Sequence, residues 1–405
     1  MKICKIQNGI NLVYEHREGK ITSFCIGFNA GALMEEENEM GIAHVVEHML
    51  FKGTSKRDEL KINRLCDEIF GFNNAMTNFP YAIYYGTTLS EDFSKGFDLY
   101  SEIVKEPAFP EEGFKEEIDV ICEELKEWKD DNFQLCEDEL LNNAFRNRRI
   151  KTCIIGNEDG IKNFSLKDVR DFYNRYYNPD NCVISVVSSL RYEEVLNVVE
   201  KYMTQWKGQK THSKDIIYEK NSKGIFIKNK AGIEGAKIQY CFTIDKLTEG
   251  EMAALNTFNY KFGSGTSGIL YDDIRTKNGL AYDVFSSIKN ENGIKLFTIS
   301  MGTSITNVDK AIEIINRHIS NIDNFSYLFS KNNIEPMLNS IKLKRELQLE
   351  KSIELSKVLA VNKIMYDNFD LFSLIDYSHE NIEEREIMCT AKKILKDPTI
   401  QILTS

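Results

Sequence analysis

Histidine is scarce in this sequence, six in 405 residues, so any two at a regular spacing carry information. Long apolar runs are missing: none approaches the roughly 18 residues of a membrane-crossing helix, and no span is expected. Met1-Lys2-Ile3-Cys4-Lys5-Ile6 lacks the apolar stretch of a secretory signal, so none is expected there either. A basic excess is also missing. The net charge of −11 and pI near 5.3 argue against nucleic acid as the main partner. Cationic peptides would suit such a balance, although it is usually a matter of solubility. No Cys-x-x-Cys occurs among the nine cysteines, whose number is odd and several of which sit in apolar runs such as Phe24-Cys25-Ile26 and Cys182-Val183-Ile184. That pattern reads as reduced, buried thiols in a cytoplasmic protein.

What is present is a globular composition, 42% hydrophobic and 28% charged, in a chain long enough for two domains of about 200 residues. One stretch organises it: Gly41-Ile42-Ala43-His44-Val45-Val46-Glu47-His48-Met49-Leu50-Phe51-Lys52-Gly53-Thr54. At about 100° per residue, His44, Glu47 and His48 share one arc of roughly 100° on an otherwise apolar helix. A helix apolar nearly all round is buried, and a polar stripe within it needs partners. Hydrogen-bonded core histidines would satisfy that need. So would a metal: two His one turn apart can ligate one ion, with a Glu beside them to work on its water.

The rest of the chain reads as an α+β plan used twice. In the first half, Asn8-Gly9 signals a hairpin. Strands follow at 21–32, 74–77, 81–89 and 182–187, with helices at 60–70, 90–104, 110–130, 140–145, 169–177 and 192–203. The run Glu35-Glu36-Glu37-Asn38-Glu39 reads as a solvated loop favouring the next helix's N-terminus. Residues 211–223 are polar and non-periodic, which makes them the linker between domains at 1–210 and 224–405. Beyond it strand, strand, helix, helix, strand, strand, helix recurs, and Asn332 to Leu395 is mostly helical.

A zinc site needs at least one more protein ligand. On the helix after Pro110, Ile118, Ile121, Leu125 and Trp128 form the apolar face. Glu117 and Glu124, seven apart, stack at its edge, whereas Glu116 and Glu123 point to solvent. One of the edge pair would ligate and the other support a ligand. An ordinary charged helix flank would look the same. Cys122 and Cys136 are rival ligands, but Cys122 lies roughly 200° from Glu124 on the wheel, so both cannot face one metal.

His-x-x-Glu-His with a Glu 76 positions later and another seven before it resembles the pitrilysin/insulinase zinc peptidases, the inverzincins. The flanking Gly41-Ile42-Ala43 and Met49-Leu50-Phe51-Lys52-Gly53-Thr54 resemble the bacterial branch related to mitochondrial processing peptidase. The resemblance implies two homologous α/β-roll domains with antiparallel sheets flanked by helices, the first binding zinc. It implies that His44, His48 and Glu124 hold one Zn²⁺ per chain, that Glu47 is the general base, and that Glu117 supports the site. Asn74-Ala75-Met76-Thr77 resembles the family's edge strand, to which a peptide substrate adds as a β-strand. Arg275 and Tyr282, seven apart, resemble an Arg/Tyr pair that stabilises the oxyanion in catalysis. Phe70-Gly71-Phe72-Asn73, Ala82 and Ser188-Ser189-Leu190 depart from the family pattern in ways that touch the substrate pocket, not the metal chemistry.

The function so implied is a cytoplasmic metalloendopeptidase that hydrolyses peptides or unfolded segments with a zinc-activated water, in an enclosed chamber formed by a homodimer. The alternative is a non-catalytic, peptide-binding subunit of the same fold. Such subunits usually lack the intact metal set seen here. A lyase with His-x-x-Glu-His and a Cys ligand is a third reading, but that kind of chain is less than half this length and has no second repeat.

Overall fold

The first hairpin forms where Asn8-Gly9 places it: Gly9 takes φ 104°, and β1 (Lys2–Lys5) pairs antiparallel with β2 (Asn11–His16). The computed structural model describes residues 1–212, 214–366 and 382–405. Further strands of the first half are β3 (Ile21–Phe28), β4 (Phe70–Thr77), β5 (Ala82–Leu89) and β6 (Cys182–Ser188). They complete a six-stranded sheet in the order β1-β2-β6-β3-β5-β4. The second half contributes β7 (Gly224–Asn229), β8 (Ala236–Thr243), β9 (Ala281–Lys289), β10 (Leu296–Thr303) and β11 (Thr399–Thr404), a five-stranded sheet ordered β7-β11-β8-β10-β9.

The two orders superimpose, β2-β6-β3-β5-β4 on β7-β11-β8-β10-β9, so the repeated α+β plan is real. The sheets are mixed rather than purely antiparallel, because β2 pairs parallel with β6 and β7 parallel with β11. Strand β6 is buried along its whole length, as its run Cys182-Val183-Ile184-Ser185-Val186-Val187 demands. Strand β11 has no counterpart among the expected elements. Its alternation, Thr-Ile-Gln-Ile-Leu-Thr, is short, and its partners lie more than 150 positions away.

Two compact units result. One holds Met1–Lys126, Cys153–Ile216 and a stretch from Leu347; the other holds Glu127–Thr152, Ile217–Glu346 and the C-terminal stretch. Relative to a division at 1–210 and 224–405, two segments are exchanged, and both cover sheet faces. Helix Ser352–Met365 packs on β3 and β6, with Ser185 Oγ donating to the Ser356 carbonyl at 2.6 Å. Helix Asn132–Ala144 packs on β8 and β11, where Asn143 Nδ2 donates to Gln401 Oε1 at 2.8 Å. A sheet apolar on both faces needs a second cover, and each repeat takes it from the other half of the chain. The tail is helical at Lys331–Leu349, Ser352–Met365 and Glu384–Ile394, while 367–381 lie outside the described residues. No helix among the described residues is long and apolar enough to cross a membrane. No disulfide joins any of the nine cysteines, and six of them are buried.

One half-buried carboxyl gives the second unit a pH signature. Asp138 accepts from Trp128 Nε1 at 2.9 Å, and burial pushes its pKa from the ordinary 3.8 up to about 6, against the pull of that bond. An acid raised on folding contributes stability that is complete below its unfolded pKa and is lost as pH rises through 6. D138N keeps the acceptor oxygen but not the charge. It is expected to melt about 2–4 °C above the parent at pH 8 and together with it at pH 4, by calorimetry.

Candidate active site

The site is built on α1 (Ile42–Leu50), which begins at Gly41 with φ 102°. Only glycine fits there: a Cβ on Gly41 would lie 2.2 Å from the Ile155 carbonyl oxygen. Gly41 has no side chain to cap the helix, so Glu35 does it from the preceding loop. Its Oε1 accepts from the Gly41 and Ala43 amides at 3.1 and 3.0 Å. The acidic run is therefore not wholly solvated; Glu35 is 2% exposed. Ile42, Ala43, Val45, Val46, Met49 and Leu50 are buried around the helix, which fixes the His44/His48 stripe in place.

The second support is the helix Phe114–Asp130, and it delivers the two carboxylates selected by periodicity. Glu117 Oε1 lies 2.7 Å from His48 Nδ1. Glu124 faces both imidazoles, Oε1 at 3.6 Å from His44 Nε2 and Oε2 at 3.5 Å from His48 Nε2. One atom from each of His44, His48 and Glu124 lies within 4.8 Å of the others. Cys122 is buried outside this group, and Cys136 instead points its Sγ at the carbonyls of Lys237 and Gln401.

Separations of 3.5–3.6 Å, each to a different Glu124 oxygen, are long for hydrogen bonds and leave room for an ion among the donors. Charge agrees with geometry. Glu117 stays ionised, with its pKa near 2: burial raises it, and the bonds to His48 and Lys52 lower it by more. An ionised carboxylate can only accept, so His48 Nδ1 carries the hydrogen and Nε2 is the atom turned to Glu124. Burial, then the His48 charge, pull His44 down to about 4, which keeps it neutral and able to ligate. Burial opposes the charge on His48, yet Glu117 and Glu124 hold its pKa up near 9. Glu124 is itself lowered, first by His48. These groups attract positive charge to one point, and the donor set fits a divalent ion.

Glu47 lies on the same helix but turns to β4, where Thr77 Oγ1 donates to its Oε2 at 2.5 Å. Burial raises its pKa, with Thr77 acting the other way, and a raised carboxylate is a stronger base. Thr77, expected as part of the substrate strand, is thus occupied with Glu47. Asn74, Ala75 and Met76 lie beside it on β4, the edge of its sheet, and the Ala75 amide donates to Asn74 Oδ1 at 2.9 Å. In the other unit, Arg275 sits on a π-helical turn, Tyr271–Lys277, and donates from Nη1 to the Tyr282 carbonyl at 3.1 Å. Its guanidinium lies 4.4 Å from the centre of the Tyr282 ring, and that tyrosine is 75% exposed. The spacing of seven thus pairs the two side chains and presents them outward.

Sequence reasoning missed Lys52. Four residues after His48, it extends the stripe by one more turn, and its Nζ lies 2.5 Å from Glu117 Oε2 and 2.9 Å from Glu59 Oε1. The i, i+4 spacing was the available signal.

A buried His-x-x-Glu-His helix, a second helix bringing two glutamates to it, and a sheet-and-helix plan repeated in the chain define a protein with a candidate metal centre. The comparisons identify it further. Two family models match, "Insulinase (Peptidase family M16)" over residues 11–158 and "Peptidase M16 inactive domain" over 163–335. The chain belongs to the insulinase family of peptidases. It is 28% identical over 346 residues, 84% of this chain and 83% of the relative, to "Uncharacterized zinc protease YmxG" of Bacillus subtilis. The "Mitochondrial-processing peptidase subunit beta" of Dictyostelium discoideum is 27% identical over 216 residues, 53% of this chain and 46% of that one. The crystal structure of a protease from Helicobacter pylori shares the fold, with a TM-score of 0.87 at 20% identity, over 100% of this chain and 99% of that one.

Proposed function

We propose that the protein is a zinc-dependent endopeptidase acting on peptides or unfolded segments. His44 Nε2, His48 Nε2 and a Glu124 oxygen would hold the ion. The convergence of these three donors, with Glu47 alongside, is the observation that carries the reading. Zinc, when bound, supplies Lewis acidity and an open position for water. Glu47 takes the proton of the attacking water on Oε1, since Thr77 holds Oε2, and passes it to the leaving amine. Glu117 keeps His48 in the ligating tautomer. The peptide lies along the free edge of β4 as an added strand, with Asn74 Oδ1 giving up the Ala75 amide to a substrate carbonyl. Arg275 and Tyr282 stabilise the oxyanion, and because they belong to the second repeat we assign them to the partner's site in a homodimer. We place it in the cytoplasm, a reading supported by nine cysteines without a disulfide. The non-catalytic reading has less support, because Glu47 is present, half-buried and oriented by Thr77.

The test is a mixed peptide library incubated with the purified protein. Cleavage is expected to stop with a strong chelator and to return with added zinc. Cleavage that continues unchanged after complete metal removal would contradict the reading.

A further inference from the structure

Of the two imidazoles, only His48 has a side chain that orients its far nitrogen. His44 Nδ1 is buried without a hydrogen-bond partner among the described residues, so packing alone holds that ring. The orientation of His48 rests on Glu117, and Glu117 rests in turn on Lys52. Each Glu117 oxygen has one of these partners, Oε1 the His48 Nδ1 at 2.7 Å and Oε2 the Lys52 ammonium at 2.5 Å. The carboxylate therefore cannot rotate without losing a charged contact. Lys52 is anchored from its other side by Glu59 at 2.9 Å, at the start of the helix Glu59–Ile69. The Lys52 and Glu117 side chains are 20% and 11% exposed, so water screens their contact poorly.

We propose that Lys52 is a positioning residue of the metal site: held between Glu59 and Glu117, its ammonium fixes the Glu117 carboxylate on His48 and so presents His48 Nε2 to the ion. This rests on the zinc-peptidase reading and extends it by two residues, Lys52 and Glu59, that touch neither metal nor substrate. Without Lys52, Glu117 is a buried anion lacking its counter-charge. It then turns toward solvent and frees the His48 ring. Lysine serves here as a point charge between two carboxylates, a role arginine can also fill.

The experiment is zinc affinity by competition with a chromophoric chelator, on the full chain, with thermal melting as the folding control. K52M is expected to bind zinc about 10- to 100-fold more weakly, the range of lost outer partners of metal-bound His, and K52R within about threefold of the parent. At limiting zinc kcat falls with K52M while KM for a peptide stays within about twofold, because the substrate strand is untouched. A K52M chain that folds and binds zinc as the parent does overturns the proposal. Should K52M not fold, the exposed-side variant E59Q carries the test: about two- to fivefold weaker zinc binding supports the relay, and unchanged binding overturns it. If the parent itself binds no zinc, the proposed function fails. If the parent binds zinc and K52M binds it equally, only the role of Lys52 fails.

Discussion

E47Q is expected to lower kcat about a thousandfold or more while leaving zinc content at one per chain and KM nearly unchanged. Three observations lead to this result. Glu47 is outside the donor group of His44, His48 and Glu124, so its loss does not open the metal site. Thr77 can still donate to the glutamine oxygen, so the strand–helix contact at β4 survives. What is lost is the proton acceptor, in a half-buried setting whose desolvation raises its basicity. Steady-state kinetics on a peptide released from the library, paired with metal analysis, check the prediction. A subunit that only binds peptides would show no rate to lose, and E47Q would hold peptide as the parent does.

The second large effect concerns the Arg275–Tyr282 pair. H44A removes a donor and is expected to lose zinc and activity together, while R275A is expected to keep zinc and lose activity. Mixed under conditions that exchange subunits, the two dead proteins should recover about a quarter of parental activity. Half the dimers are then mixed, and each mixed dimer has one site with both a metal and an arginine. Recovery is expected only if Arg275 serves the partner's site. A mixture that stays inactive despite exchange, confirmed by mass-labelled subunits, would contradict completion in trans.

Much of this site was legible because it depends on helical periodicity. The His44/Glu47/His48 arc needs only the angle per residue, and the same angle separates Glu117 and Glu124 from Glu116 and Glu123. Periodicity selects these candidates, whereas the separate roles of Glu117, Glu124 and Glu47 came from the resemblance. Long-range and loop features were not legible. Nothing local in the run Glu35 to Glu39 tells which carboxylate turns in; Glu35 does, because Gly41 leaves two amides of α1 without a cap. The spacing of Lys52 from His48 places it near the stripe, but its meaning depends on where Glu59 and Glu117 come to lie. The exchange of covering helices between the repeats was equally hidden. Nothing in the sequence of Ser352–Met365 or Asn132–Ala144 says which sheet they cover. Strand β11 pairs with β7 and β8, and only that pairing distinguishes it from a polar tail. In each case the missing information was a contact between distant segments.

The most direct measurement is an anomalous difference map at the zinc edge from crystals grown with zinc. The account predicts a single peak per chain, about 2.0–2.2 Å from His44 Nε2, His48 Nε2 and a Glu124 oxygen. No peak between these side chains, or a zinc held elsewhere in the chain while Glu124 points away, would contradict it.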